Sequence, residues 1–286
     1  MTMKSLLSQN WFVARSSVLL WLCCAAAFVI TFFVIADNGD SQIIPGLGLV
    51  YAFFAAVYLG DAGTSGRLDG QVIHGSARFR IYLAHFITLF VCFLLILFCT
   101  LLGELAAYAV NGAFFDMSGP GLLLDTAGLL LNAAGYAAMY ALIGLLTVGR
   151  RPGRGTVLLI VCVSLVLALA IWGSVIMDRL AQPEYDMVIR TGFNTEIAWY
   201  GDDYPDGVEA EKVPNPYYVA EPERSRLESL TRFIPVTQCI VLHSFLDMEP
   251  TADAAGIAGE IYLYSALLTA VCSAAGIALF QRRELD

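Results

Sequence analysis

The side chains with the richest chemistry are few and scattered. The chain of 286 residues has three histidines, seven cysteines and 25 acidic residues. His74 and His243 are isolated, and His85 sits inside an apolar run, where packing is its expected role; three scattered histidines do not make a metal site. Cys23, Cys24, Cys92, Cys99, Cys162 and Cys272 lie within apolar stretches, Cys239 lies in an acidic one, and no CxxC pair occurs. These thiols read as small buried hydrophobes rather than as disulfide or zinc partners. Asp202, Asp203, Asp206, Glu209 and Glu211 lack the DxDxDG spacing of a calcium loop and read as a solvated stretch. No GxxxxGK[ST] nucleotide loop exists. The nearest glycine-arginine run, 149–155, lacks the lysine and reads as a positive turn or as a contact for lipid head groups or a partner. Glu104, Asp125 and Glu260 are expected near the outer membrane boundary, where carboxylates reach water, with the lining of a cation-friendly exit as the alternative. No Ser-His-Asp or paired-carboxylate arrangement follows from spacing. Catalysis by this chain is therefore not expected, and no cofactor or metal site is assigned.

The elements that carry these residues are apolar. Hydrophobic residues make up 58% and charged residues 14% of the chain, and the mean hydropathy is +0.69. Soluble domains run near 45–50% and about 25%, so a water-soluble globule and a disordered chain are both excluded. A pI near 4.8 removes the basic footprint of a nucleic-acid binder. Six runs approach the roughly 20 residues that cross a bilayer: about 18–36, 43–60, 81–102, 126–148, 156–177 and 261–280. None contains Lys or Arg. The fold class is thus an all-α membrane protein of six transmembrane helices. Stripes of small residues, Ala133, Ala137 and Ala141 in one run and Ala270, Ala274 and Ala278 in another, point to close helix packing within the chain, with a dimer seam as the alternative.

Charge orients the spans. Lys4 and Arg15 precede the first, Arg67, Arg78 and Arg80 follow the second, Arg150, Arg151 and Arg154 follow the fourth, and Arg282 and Arg283 follow the sixth. The connections at 37–42 and 109–125 have no Lys or Arg. The positive-inside rule then puts both termini in the cytoplasm. Residues 178–254 hold 15 acidic against 6 basic residues, matching the whole net charge of −9. They form a large acidic extracytoplasmic insert between spans five and six. The start of the chain reads as an interfacial helix on which Leu6, Leu7, Trp11 and Ala14 share a face, or else as a frayed terminus. The first span is too long, and its leader too aromatic, for a cleaved signal peptide. The expected organisation is a cytoplasmic interfacial helix at 1–17, spans one to five at 18–177 with a connection at 61–80, the acidic insert at 178–256, and span six with a cytoplasmic tail at 257–286. Within the insert, 183–216 reads as loop, and a helix follows Pro222 with Leu227, Leu230, Phe233 and Ile234 on one face. Residues 240–246 are apolar enough to dip back toward the membrane.

Two segments carry a family pattern. After span two the chain reads YLGDAGTSGRLDGQVIHGSARFRIYLAHF, with a short helix expected around 68–74. Ser65-Gly66, then Leu68, Val72 and Ile73, then Gly75, Arg78 and Ile81-Tyr82-Leu83 follow the order of one branch of a transporter family, although Arg67 and Asp69-Gly70 stand where that branch has Thr and Arg-Asn. In the insert, Asn215-Pro216-Tyr217-Tyr218, then Arg224, then Pro235-Val236-Thr237-Gln238 match its Asn-Pro-x-Tyr and Pro-x-Gly-Gln elements, with Thr237 in place of glycine. On these residues the chain resembles the permease subunits of ABC-2-type ATP-binding-cassette exporters.

The resemblance implies function. Two permease subunits, identical or different, pair in a bacterial cytoplasmic membrane, and separate cytoplasmic ATPase subunits supply the ATP chemistry. Ser65, Gly66, Leu68, Val72, Ile73, Gly75 and Arg78 would form the ATPase-coupling segment, and Asn215, Pro216, Tyr218, Arg224, Pro235 and Gln238 an external cap on the pathway. A peptide or amphiphile is favoured over a polysaccharide as the exported substrate. The alternatives are a solvated loop for the coupling segment, and a membrane sensor or anchor whose acidic external domain binds a ligand.

Overall fold

A computed structural model describes residues 2–38, 46–111, 120–147, 153–191, 195–199, 210–243 and 252–282. Among them are helices α1 (Met3–Ser16), α2 (Val18–Asn38), α3 (Leu47–Thr64), α4 (Arg67–Ile73), α5 (Arg78–Asn111), α6 (Pro120–Thr147) and α7 (Arg154–Leu180). Strands β1 (Tyr185–Thr191), β2 (Thr195–Trp199) and β3 (Ala210–Pro214) follow, then α8 (Glu223–Phe233), α9 (Pro235–His243) and α10 (Ala252–Arg282). Arg150, Arg151, Asp202, Asp203, Asp206, Glu209, Arg283, the central parts of both arginine-free connections and the end of the apolar run 240–246 lie outside the described residues.

Among the described residues six helices, α2, α3, α5, α6, α7 and α10, are long and apolar enough to cross a membrane, the helix set of a multi-pass membrane protein. Their bounds differ from the sequence expectation where packing overrides local signals. The second was expected to end at Gly60, yet α3 continues to Thr64. Gly60 is helical there because its bare Cα faces Gly155 of α7, where an added Cβ would lie 3.0 Å from the Gly155 Cα. A glycine pair of this kind permits close backbone approach between helices in lipid. Helix α5 has 34 residues, about 51 Å at 1.5 Å per residue, so it outruns a hydrocarbon core of about 30 Å.

The chain divides into two compact units, Met1–Ala170 with Arg232–Asp286, and Ile171–Thr231. In the larger unit α6 packs along α10, α5 packs along α2, and α6 also meets α3, α5 and α9. An aromatic cluster fills its centre. The Tyr51 and Phe93 rings stack at 4.3 Å, Tyr136 and Tyr140 stack at 5.8 Å, and Tyr140 packs edge-on to Phe93 at 6.0 Å. Each buried phenol needs a partner, and the Tyr140 hydroxyl donates to the Gly48 carbonyl at 2.9 Å. Tyr82 donates toward the Ala138 and Cys272 carbonyls, both at 3.3 Å, which ties α5 to α6 and α10. Gly276 leaves the room this ring occupies, since a Cβ there would overlap it.

The two small-residue stripes part ways. Ala133, Ala137 and Ala141 are fully buried, whereas Ala270, Ala274 and Ala278 are exposed. Helix α10 instead turns Ile261, Ser265, Cys272, Gly276 and Phe280 inward. Helix α1 forms as expected, although its buried line is Leu6, Asn10 and Ala14 rather than one including Trp11.

The smaller unit corrects the expectation of an all-α chain with a loop at 183–216. It contains a three-stranded antiparallel sheet of order β2-β1-β3. Val188 is paired with Ala198 on one side and Glu211 on the other. Helix α8 follows Pro222 as expected, but Phe233 at its end is 50% exposed and Thr231 takes the buried position.

Candidate functional site

The connection after α3 is a built structure rather than a slack loop. Helix α3 ends where the Ser65 N–H and hydroxyl both donate to the Asp61 carbonyl, at 2.9 and 2.6 Å. Gly66 then adopts φ +71° and Gly75, after α4, φ +75°. An added Cβ at either would meet nothing, so what glycine supplies here is the left-handed backbone. Beyond α4, the Gly75 N–H bonds the Val72 carbonyl at 2.9 Å and the Ser76 N–H bonds the Gln71 carbonyl at 3.2 Å, the two-bond pattern that terminates helices with a left-handed glycine. Seven residues are thus locked as a helix between two chain reversals.

One face of α4 is clamped. Leu68 and Gln71 are buried. The Gln71 amide donates to Asn10 Oδ1 at 3.1 Å and Gln9 Oε1 at 3.2 Å, both on α1. The Arg67 guanidinium lies 5.0 Å from the Tyr58 ring centroid and donates to the Tyr58 carbonyl at 3.4 Å. Tyr58 in turn packs against His85 of α5 at 5.8 Å, with His85 fully buried in its expected packing role. Arg78 donates to the Gln281 carbonyl near the end of α10 at 2.8 Å. The opposite face is open: Ile73 is 76% exposed, and Phe79, just beyond, is also exposed. Of the sequence-predicted residues, Ser65, Gly66 and Gly75 shape the backbone, Leu68 and Arg78 anchor it, Val72 is half-buried and Ile73 is the free tip. Sequence reasoning missed the anchors Gln71 and Asn10. A polar residue within the buried line of an amphipathic helix was the signal available.

A second cluster surrounds α9. Asn132 of α6 donates to the Pro235 carbonyl at 2.8 Å and to Gln238 Oε1 at 2.9 Å. Ser265 of α10 donates to the same Gln238 oxygen at 2.9 Å. The Gln238 amide donates to the Arg232 carbonyl at 2.8 Å, and the Cys239 thiol to Asn132 Oδ1 at 3.4 Å. Burial pushes the Cys239 thiol well above the ordinary thiol range. Gly128 makes space for Leu242, which a Cβ would strike. Glu104 and Asp125 are buried, against the expectation that such carboxylates reach water, whereas Glu260 is half-exposed and pairs with Arg232 at 2.6 Å.

The smaller unit holds a groove of about 440 Å³ between the end of α7 and the segment 216–223. Asn215 sets its wall. Its N–H donates to the Glu184 carbonyl at 3.0 Å, its Oδ1 accepts from the Tyr217 N–H at 2.8 Å, and its amide reaches Gln182 at 3.4 Å. Arg224 donates to the Leu180 carbonyl at 3.2 Å and lies 5.7 Å from the Tyr218 ring centroid. Arg179 and Glu223 pair across the groove at 3.3 Å. The external residues named from sequence therefore fall into two groups: Pro216 and Tyr218 line this groove, with Asn215 and Arg224 bonded to the residues around it, and Pro235 and Gln238 belong to the polar cluster on α6 and α10. Compared with protein-family models, curated proteins and solved structures, the chain finds no match in any of the three.

Proposed function

We propose that this chain is the membrane-spanning permease subunit of an ATP-driven exporter in a bacterial cytoplasmic membrane, pairing with a second permease subunit and with separate ATPase subunits. The observation that carries the reading is α4, a short helix locked by Gly66 and Gly75, clamped to α1 and α3 on one side and presenting Ile73 on the other. A force applied at Ile73 reaches the spans through short, ordered contacts, as transmission between two states requires. Lys4, Arg15, Arg67, Arg78, Arg80 and Arg154 support a cytoplasmic α4 and cytoplasmic termini, with the acidic residues after α7 outside.

The test is affinity purification of the tagged chain from its native membranes. A P-loop ATPase should co-purify with the unaltered protein and be lost with Ile73→Asp, while membrane insertion stays normal. Intact chain that never brings down an ATPase defeats the reading.

A second reading, a membrane sensor or binding protein, is favoured by the groove of the acidic unit. It predicts that Ile73→Asp leaves function intact and that changes at the groove abolish it.

A further inference from the structure

We propose that the groove of the smaller unit binds a cationic amphiphile, an ammonium head carried on an apolar tail. Its position argues for an amphiphile. Helix α7 carries exposed Ile171, Trp172 and Val175 and then, within one turn, Asp178 and Arg179. An exposed tryptophan followed by charge marks the level where hydrocarbon gives way to water. Val175 forms part of the groove lining together with the charged residues Asp178, Arg179 and Glu223. A ligand held here keeps its tail against the apolar flank of α7 and its head among polar groups. The volume of about 440 Å³ falls in the range of about 300–1,000 Å³ that small ligands occupy.

Charge and ring placement argue for a cation. The groove is lined by two carboxylates, Asp178 and Glu223, and one guanidinium, Arg179. Arg179 is taken up by Glu223 at 3.3 Å. The Asp178 carboxylate thus carries the uncompensated charge of the lining. Tyr217, also in the lining, is 77% exposed. A carboxylate and an exposed aromatic ring lining one groove are the groups that attract quaternary ammonium ions. The field of the unit has the same sign, since residues 171–231 hold 12 acidic against 5 basic residues, and such a field concentrates cations near it. The groove itself comprises residues of the unit alone, so the inference stands without the exporter reading.

The experiment is calorimetric titration of octyltrimethylammonium into the full chain held in nanodiscs of zwitterionic lipid, with empty nanodiscs as the baseline. Octyl sulfate and octyl glucoside serve as anionic and neutral counterparts. Saturable binding of the cation alone is expected, weakened about tenfold or more by Asp178→Asn and by Tyr217→Ala, and retained in Asp178→Glu. Arg179→Gln releases the Glu223 carboxylate and should tighten binding severalfold, a change of sign that damage to the fold does not produce. The proposal is overturned if octyl sulfate binds as tightly, which would make Arg179 the anchor, if Asp178→Asn binds as well as the unaltered chain, or if no saturable heat exceeds that of empty nanodiscs. No ATPase enters the titration, so failure here and failure of the exporter reading are separate outcomes.

Discussion

Removing the Asn132 side chain should loosen α9 from the helical body, and Cys239 reports it. Asn132→Ala deletes two donated bonds, at 2.8 and 2.9 Å, and the acceptor of the Cys239 thiol. Gln238 Oε1 keeps its bond from Ser265 and the Pro235 carbonyl keeps its contact from the Cys239 thiol at 3.6 Å, so the loss is of the two donated bonds themselves. Side-chain bonds between membrane helices average about 0.6 kcal/mol and reach about 1.7, so two of them together are worth about 1–3 kcal/mol. A loss of about 2 kcal/mol is the working value. At about 1.4 kcal/mol per tenfold, the opened population rises roughly 30-fold. Cys239 is 3% exposed, and burial holds its thiol protonated, so alkylation requires opening. In a chain with the other six cysteines replaced by alanine, maleimide labelling of Cys239 should be slow, and Asn132→Ala should accelerate it by roughly 10- to 50-fold. Ser265→Ala, which removes a single bond to a still-bonded oxygen, should accelerate it by under about fivefold. Equal labelling rates in Asn132→Ala and the unaltered chain would refute the reasoning, because the network would then not hold α9 in place.

Three further outcomes follow from particular residues. Gly66→Ala and Gly75→Ala should each lower thermal stability by about 1–2 kcal/mol, the cost of a left-handed non-glycine residue, whereas Gly70→Ala, helical with open space around it, should raise it by up to about 1 kcal/mol; equal effects would contradict the backbone argument. Gly276→Ala drives a methyl into the Tyr82 ring and should destabilise by about 1–3 kcal/mol, while Gly256→Ala, helical with open space around it like Gly70, should raise the melting temperature slightly. Since burial raises the Cys239 thiol, the folded state holds a proton that the unfolded chain releases, so its stabilising effect is complete at neutral pH and declines as pH climbs through the ordinary thiol range near 8.5; Cys239→Ala should flatten that decline in denaturation measured across alkaline pH.

The spans were legible because the signal is physical and long. Some 20 apolar residues without a cation have few alternatives in water or lipid, and all six runs reappear as α2, α3, α5, α6, α7 and α10. Their ends were less legible. Gly60 reads locally as a helix terminator, and only Gly155, far along the chain, makes a helical glycine useful there. The sheet was hidden by length and composition. Strands of seven, five and five residues within an acid-rich stretch resemble loop, and their pairing crosses segments that no local window joins. At α4 the short helix among its glycines was readable, because turn geometry is a local property, whereas the exposure of Ile73 was not. Gln71 and Asn10 were not, since their bond spans 61 positions. The burial of Asp125 was likewise invisible, because the helices around it come from distant parts of the chain.

The bond from Arg78 to the Gln281 carbonyl has a bearing on biogenesis. Carbonyls in the last turn of a helix have no partner within it, and a guanidinium is well suited to close them. Here the closing group sits at the entry of α5 and was synthesised 203 residues earlier. Helix α10 leaves the ribosome to find the stopper for its own terminus already installed, so its docking is completed by a neighbour made well before it.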